Sequence, residues 1–123
     1  MSDLLLAYYA DDLTGATDAL EQLATAGVRT TLFLEKPDAT MLKLAAGAQA
    51  IGIAGATRAL PADALEAQLR PALATLSWLR PRHIHYKTCS TFDSSPARGS
   101  IGRALDVAME LSSISCRRRR RSR

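Results

Sequence analysis

Apolar and polar positions fall into alternating blocks along the chain. Leu4 to Ala10 is a near-continuous apolar run closed by Asp11 and Asp12, the pattern of a strand covered on both faces of a parallel sheet. Thr14 to Ala26 then places Ala16, Leu20, Leu23 and Ala24 on one side before Gly27, which predicts a helix capped at Asp12 or Thr14. Thr30 to Leu34 is β-branched and apolar and ends in the turn residues Lys36-Pro37-Asp38, a second strand. Ala39 to Ala46 is weakly helical, and Ala50 to Ala54, set between Gly47 and Gly55, is a third strand.

The second half repeats the alternation. Pro61 suits the first turn of a helix, and Leu65, Leu69, Leu73 and Leu76 recur at helical spacing, with Pro71 expected to kink or split the element. His83 to Lys87 reads as a fourth strand and Thr88 to Arg98 as a polar loop. Ser100 to Leu111 is an amphipathic helix with Ile101, Leu105, Ala108 and Met109 inward. Strands alternating with helices predict an α/β fold, a three-layer domain with a mainly parallel sheet and helices on both faces.

At 123 residues there is room for one domain with a buried core, and 47% apolar with 23% charged residues excludes disordered, collagen-like and membrane classes. The apolar run at the start is too short to span a bilayer and lacks the basic flank of a signal peptide, so a cytoplasmic chain without membrane contact is expected. The net charge of +4 is a property of the end alone: six arginines lie between Arg117 and Arg123, leaving ten basic against twelve acidic side chains elsewhere. The division expected is 1–111 as the domain and 112–123 as a disordered Ser/Arg-rich tail, with an out-of-frame or truncated terminus as its simplest origin. Cys89 and Cys116 form no CxxC spacing and are expected to be free. His83 and His85 share a strand face, but no acid or cysteine completes a ligand set, and no metal site is expected.

Ligands of open α/β sheets sit at the carboxyl ends of the strands. Three polar segments fall there. Asp11-Asp12-Leu13-Thr14-Gly15 offers two carboxylates on a tight turn, which can accept hydrogen bonds from sugar hydroxyls, bind a cation or take a proton. Gly55-Ala56-Thr57-Arg58 offers a guanidinium beside small residues, suited to a carboxylate or phosphate. Lys87-Thr88-Cys89-Ser90-Thr91-Phe92-Asp93-Ser94-Ser95-Pro96 precedes a helix start whose free N–H groups favour anions. Three enzyme classes fail on spacing. No GxxxxGK[ST] loop is present, no aspartate follows the third strand as a receiver domain requires, and Leu13 stands where a haloacid-dehalogenase-type phosphatase needs its second acid.

These segments, with Ala10 and Ala16 flanking the first, Thr57-Arg58-Ala59-Leu60 as the second and Gly99-Ser100-Ile101-Gly102 after the third, resemble the amino-terminal domain of four-carbon acid sugar kinases. The resemblance spans residues 3 to 111, and the Cys89-Ser90-Thr91-Phe92-Asp93-Ser94-Ser95 form is similar to the 3-oxo-tetronate kinase branch. It implies a kinase moving the γ-phosphate of ATP, with Mg2+, to the terminal hydroxyl of a four-carbon sugar acid. This domain would hold the sugar acid and a separate carboxyl-terminal domain the nucleotide. Asp11, Asp12, Thr14, Thr57, Arg58, Lys87, Ser90, Thr91 and Asp93 are the expected substrate-binding residues, with Arg58 and Lys87 on the carboxylate and the acids on the hydroxyls. The catalytic base is unassigned. No nucleotide cradle is found in this chain, so it is expected to bind neither ATP nor Mg2+ alone and to be inactive without the nucleotide domain. The alternative is a small α/β binding module whose arginine tail contacts nucleic acid or another acidic surface. Such a module has no use for three polar strand-end loops, so nucleic acid is not the expected partner.

Overall fold

A computed structural model describes residues 4–121, with side chains described as far as Leu111. Four strands, β1 (Leu6–Ala10), β2 (Thr30–Phe33), β3 (Ala50–Ala54) and β4 (His83–Lys87), form one sheet in the order β2-β3-β1-β4. Every pairing is parallel. The helices are α1 (Leu13–Thr25), α2 (Ala39–Leu44), α3 (Ala62–Trp78) and α4 (Ile101–Arg121), and one 3-10 turn spans Thr57–Ala59.

Successive side chains of β1 point to opposite faces, and their partners show that both faces are covered. The Tyr8 hydroxyl donates to Ala16 O of α1 at 3.1 Å. The Tyr9 hydroxyl donates to Gln68 Oε1 of α3 at 3.3 Å. The main core lies on the α3 side, where Leu65, Leu69, Leu73 and Leu76 pack against Ala7, Tyr9, Ile51 and Ile53. Each fully buried leucine contributes about 1.5 to 3 kcal/mol. A smaller cluster of Ala10, Ala16 and Ala54 closes the α1 side.

Three expectations need correction. Pro71 does not split its helix: α3 is continuous from Ala62 to Trp78. Pro71 has no N–H for the Ala67 carbonyl, a local loss that the flanking buried Leu69, Ala72 and Leu73 outweigh. The inward stripe of α4 is Ala104 and Val107, with Ala108 and Leu111 packed beside them, while Leu105 and Met109 are exposed. As far as its side chains are described, this helix packs chiefly on α3. Arg70 bonds Glu110 at 2.7 Å and Arg103 bonds Glu66 at 2.9 Å, so ion pairs select the face as much as hydrophobicity does. Ala24 of α1 is exposed, because only the first turn of that helix, at Gly15 and Ala16, is fully buried on the sheet. The expectations for the tail from Ser112 and for Cys116 fall on side chains outside the described set. Among the described residues, no helix is long and apolar enough to cross a membrane.

Candidate functional site

Register brings the three polar segments together. Ala10 is paired with Ala54 on one side and with Lys87 on the other, so β1, β3 and β4 end at one level. The chain leaves β1 through Asp11 and Asp12, and Asp12 is the N-cap of α1, its Oδ1 accepting from Gly15 N at 2.8 Å. That interaction satisfies one of the free donors of the first turn. Gly15 is required by closeness: a Cβ there would lie 2.7 Å from Asp12 Oδ1 and 3.8 Å from Lys87 Nζ. Lys87 therefore projects over the amino end of α1. Its Nζ lies 3.4 Å from Thr88 O.

Arg58 is the hub. Its Nη1 donates to Asp12 Oδ2 at 3.1 Å and to Cys89 Sγ at 3.1 Å, and its Nε lies 3.6 Å from Asp93 Oδ2. One guanidinium thus joins the segments after β1 and β4 to its own, which follows β3. The Thr91 hydroxyl donates to the same Asp93 oxygen at 2.9 Å and approaches Cys89 Sγ at 3.3 Å. Farther along, Gly99 N donates to Leu60 O at 2.8 Å, and Arg98 Nη1 to Ala59 O at 3.3 Å. Gly99 has φ +57, and a Cβ on it would come within 2.2 Å of Arg58 O. The loop after β4 is pinned at both ends to the segment that carries Arg58.

Beneath this crest lies a buried polar floor. Thr57 is fully buried, and its hydroxyl shares a 2.8 Å hydrogen bond with Tyr86 Oη. The Tyr86 ring stacks on Tyr9 at 5.9 Å between centroids. Burial raises the phenol pKa values of both tyrosines, so both remain neutral hydroxyls. Asp11, 4% exposed, lies on the same side of β1 as Tyr9 and in the field of both phenols. Its Oδ1 has no hydrogen-bond partner among the described residues. Burial first, and Asp12 beside it, push this carboxyl above the ordinary aspartate range, against the pull of the Cys89 N–H, Arg58 and Lys87.

The expected residues therefore sort into layers. Asp12, Arg58, Lys87, Thr91 and Asp93 meet at the crest. Asp11 and Thr57 lie below it, with Thr57 supporting Tyr86 and turned away from the opening. Thr14 and Ser90 stand exposed at the margin. Sequence reasoning missed Tyr9, Tyr86 and Gln68, which fall inside strand or helix segments and not in the polar strand-end loops. It also gave no role to the Cys89 thiol, which its place two residues before Thr91 could have suggested. A second hollow of about 320 Å³ opens beside the site at the ends of β2 and β3, lined by Tyr9, Leu34, Glu35, Gly55 and Gln68 among others. The Gln68 side chain borders both regions, its Oε1 accepting from Ala56 N at 3.3 Å.

A doubly wound parallel sheet whose strand ends carry a joined set of acids, cations and hydroxyls defines the structural class. Within that class the chain belongs to the family described as the sugar-binding N-terminal domain, whose model matches residues 6–116. It is 46% identical over 106 residues to a 3-oxo-isoapionate kinase of Paraburkholderia graminis, covering 86% of this chain and 23% of that protein. It is 45% identical over 112 residues to a 3-oxo-tetronate kinase of Pseudomonas savastanoi pv. phaseolicola, covering 86% of this chain and 24% of the relative. A crystal structure from Salmonella typhimurium LT2, provisionally described as a tRNA synthase, superposes with a TM-score of 0.79 at 34% identity, over 89% of this chain and 26% of that one. The chain spans about a quarter of the length of the curated relatives it matches.

Proposed function

We propose that this chain is the sugar-acid-holding part of an ATP-dependent kinase that phosphorylates the terminal hydroxyl of a 3-oxo four-carbon sugar acid. The observation behind this reading is the crest: one cation committed to carboxylates, Arg58, and a second, Lys87, with no carboxylate within 4.0 Å among the described residues, beside the free N–H groups of α1. A sugar acid presents one carboxylate and several hydroxyls, and needs both kinds of partner. Lys87 and the α1 amino end take the carboxylate, with Arg58 sharing it as Asp93 swings away. Asp12, Thr91 and Asp93 accept and donate to the hydroxyls. The 3-oxo-tetronate kinase relative agrees with this substrate class by name, and the 3-oxo-isoapionate kinase agrees with it in acting on a 3-oxo sugar acid.

ATP and Mg2+ enter this reading as co-substrate and its counter-ion, held by a nucleotide-binding part that we place outside this chain. The residues present do not suit a triphosphate, because two carboxylates, Asp12 and Asp93, already pair with the one bridging guanidinium and no GxxxxGK[ST] loop exists. The chain alone is expected to transfer no phosphate. The test is calorimetric titration of 3-oxo-tetronate into the purified chain. Lys87→Ala and Asp12→Asn should each weaken binding about ten- to a hundred-fold, as expected for one charge-assisted contact of roughly 1.5 to 3 kcal/mol. No binding, or affinity unchanged in both variants, would refute the assignment.

A further inference from the structure

The outer edge of β4 is open. His83 N donates to Leu5 O at 3.1 Å and Lys87 O accepts from Asp11 N at 3.0 Å, so His83, His85 and Lys87 turn their backbone groups toward β1. Alternate residues of a parallel strand bond to opposite sides. The N–H and C=O groups of Ile84 and Tyr86 therefore line an edge that meets no other strand among the described residues. Such a row is a template for one more strand.

The space beside that edge has an apolar roof. On α3, Gln68 and Ala72 line the hollow at the ends of β2 and β3, while Glu66 and Arg70 hold Arg103 and Glu110, which places α4 on the β4 side of α3. At about 100° per residue, Arg103 and Glu110 mark one side of α4, Ala104 and Val107 the next, and Ile101, Leu105 and Met109 the one after. The first is the partly exposed rim of the seam with α3, and the second is buried in the core. The third stripe thus turns toward the level of the sheet, beyond β4, and there Leu105 and Met109 remain 55% and 69% exposed. Ile84, on the same face of the sheet as Tyr86 and Tyr9, is also exposed. An open strand edge and an unpartnered apolar stripe border one slot.

We propose that this slot receives an extended segment of a second polypeptide, apolar on the side toward α4 and acidic on the other, which adds a fifth strand to the sheet. Main-chain bonds to Ile84 and Tyr86 supply the affinity, and the α4 stripe takes the apolar side chains. The acidic side follows from charge. The opposite face of β4 carries the basic row His83, His85 and Lys87, with Arg80 and Arg82 exposed just before it, and none of these side chains is in an ion pair among the described residues. A second copy of this chain would set one basic row beside another, which cross-strand pairing disfavours. The chain's own Arg117 to Arg121 are unsuited on the same ground. The inference rests on the fold and stands apart from the sugar-acid reading.

The test is hydrogen exchange, followed residue by residue by NMR, on the whole chain with a short end-blocked peptide alternating valine and glutamate. A peptide alternating valine and lysine is the comparison. In the free chain the Ile84 and Tyr86 amides should exchange faster than that of His83, which Leu5 O holds. The glutamate peptide should slow both, and the lysine peptide should not. Leu105→Ser and Met109→Ser, both at exposed positions, should each weaken binding of the glutamate peptide about tenfold, as for one lost apolar contact. Leu44→Ser, equally exposed but on α2, should leave it unchanged. Ile84 and Tyr86 amides unaffected by the glutamate peptide, equal binding of the two peptides, or binding indifferent to both Leu105→Ser and Met109→Ser would each overturn the proposal. So would sedimentation of the chain alone as a dimer that Leu105→Ser disperses, since the occupant is then a second copy.

Discussion

β3 and β4 flank the same strand, are parallel to it and end at the same level, yet their surroundings differ at almost every position. All five residues of β3 are buried, whereas in β4 the first three are exposed and the last two half-buried. β3 has strands on both sides and a helical layer on each face, and β4 is an edge strand held by β1 alone. The difference separates two tasks. β3 holds the sheet together, and β4 delivers Tyr86, Lys87 and Cys89 to the site at a height set by its register with β1. A strand can therefore be marginal in packing and central in chemistry.

The sharpest way to break the comparison is to truncate one side chain on each strand. Ile51 is fully buried in the main core and Ile84 is 43% exposed. Ile51→Ala should destabilise the domain by about 3 kcal/mol, the transfer and cavity cost of a core isoleucine. Ile84→Ala should change stability by roughly 0.5 kcal/mol or less. Urea unfolding of the two variants decides it, and equal losses would mean that β4 belongs to the core.

Next in size is the part-buried hydrogen bond that reaches from the segment after β3 to β4. Thr57→Val keeps shape and removes the partner of the Tyr86 hydroxyl at 2.8 Å. The cost should be about 1 to 2 kcal/mol, that of a buried hydroxyl left unmatched. Adding Tyr86→Phe should recover part of it, since both polar groups are then gone. A double variant as unstable as the sum of the singles would show that the bond does not couple the two segments.

The contrast also explains what the sequence made legible. β3 was bounded correctly because an apolar run between two glycines has few other interpretations, and the bounds of β4 followed from the turn and loop residues around it. The three strand-end segments were identified as one site because parallel topology places all carboxyl ends on one edge. Less legible were the layers within that site. Thr57 and Arg58 are adjacent in sequence, yet one is sealed beneath the crest and the other bridges it, a distinction made by the 3-10 turn at Thr57–Ala59. The face of α4 was misjudged because two stripes of comparable hydrophobicity compete on it, and the ion pairs of Glu66, Arg70, Arg103 and Glu110 settle which one meets α3.

Arg58→Ala should have a smaller effect on global stability, because its ion pairs are partly exposed and such pairs contribute little. Its effect should be local. Hydrogen exchange should quicken in the segment from Cys89 to Asp93, where Phe92 N is bonded to Cys89 O, and remain slow along β3. Protection unchanged in that segment would show that the loop after β4 is ordered by its own turns and not by the guanidinium.

The smallest effect is a slope. Asp11 lies at the end of β1, where the segments from β3 and β4 meet, and its folded pKa is raised, with burial as the largest cause. Between the ordinary aspartate pKa and that raised value the folded chain holds more proton than the unfolded one, so this group's contribution to stability is lost as pH rises through that window. Glu66, paired with Arg70 and Arg103 on the helical layer, has a lowered pKa and the opposite sign: its contribution is present above the ordinary glutamate value and fades as pH falls through the folded one. Denaturation across mildly acidic pH should therefore show the Asp11 slope removed in Asp11→Asn and retained in Glu66→Gln. If Asp11→Asn follows wild type across that window, the folded and unfolded chains hold this proton equally. The carboxyl at the end of β1 is then not shielded by the segments from its two neighbours.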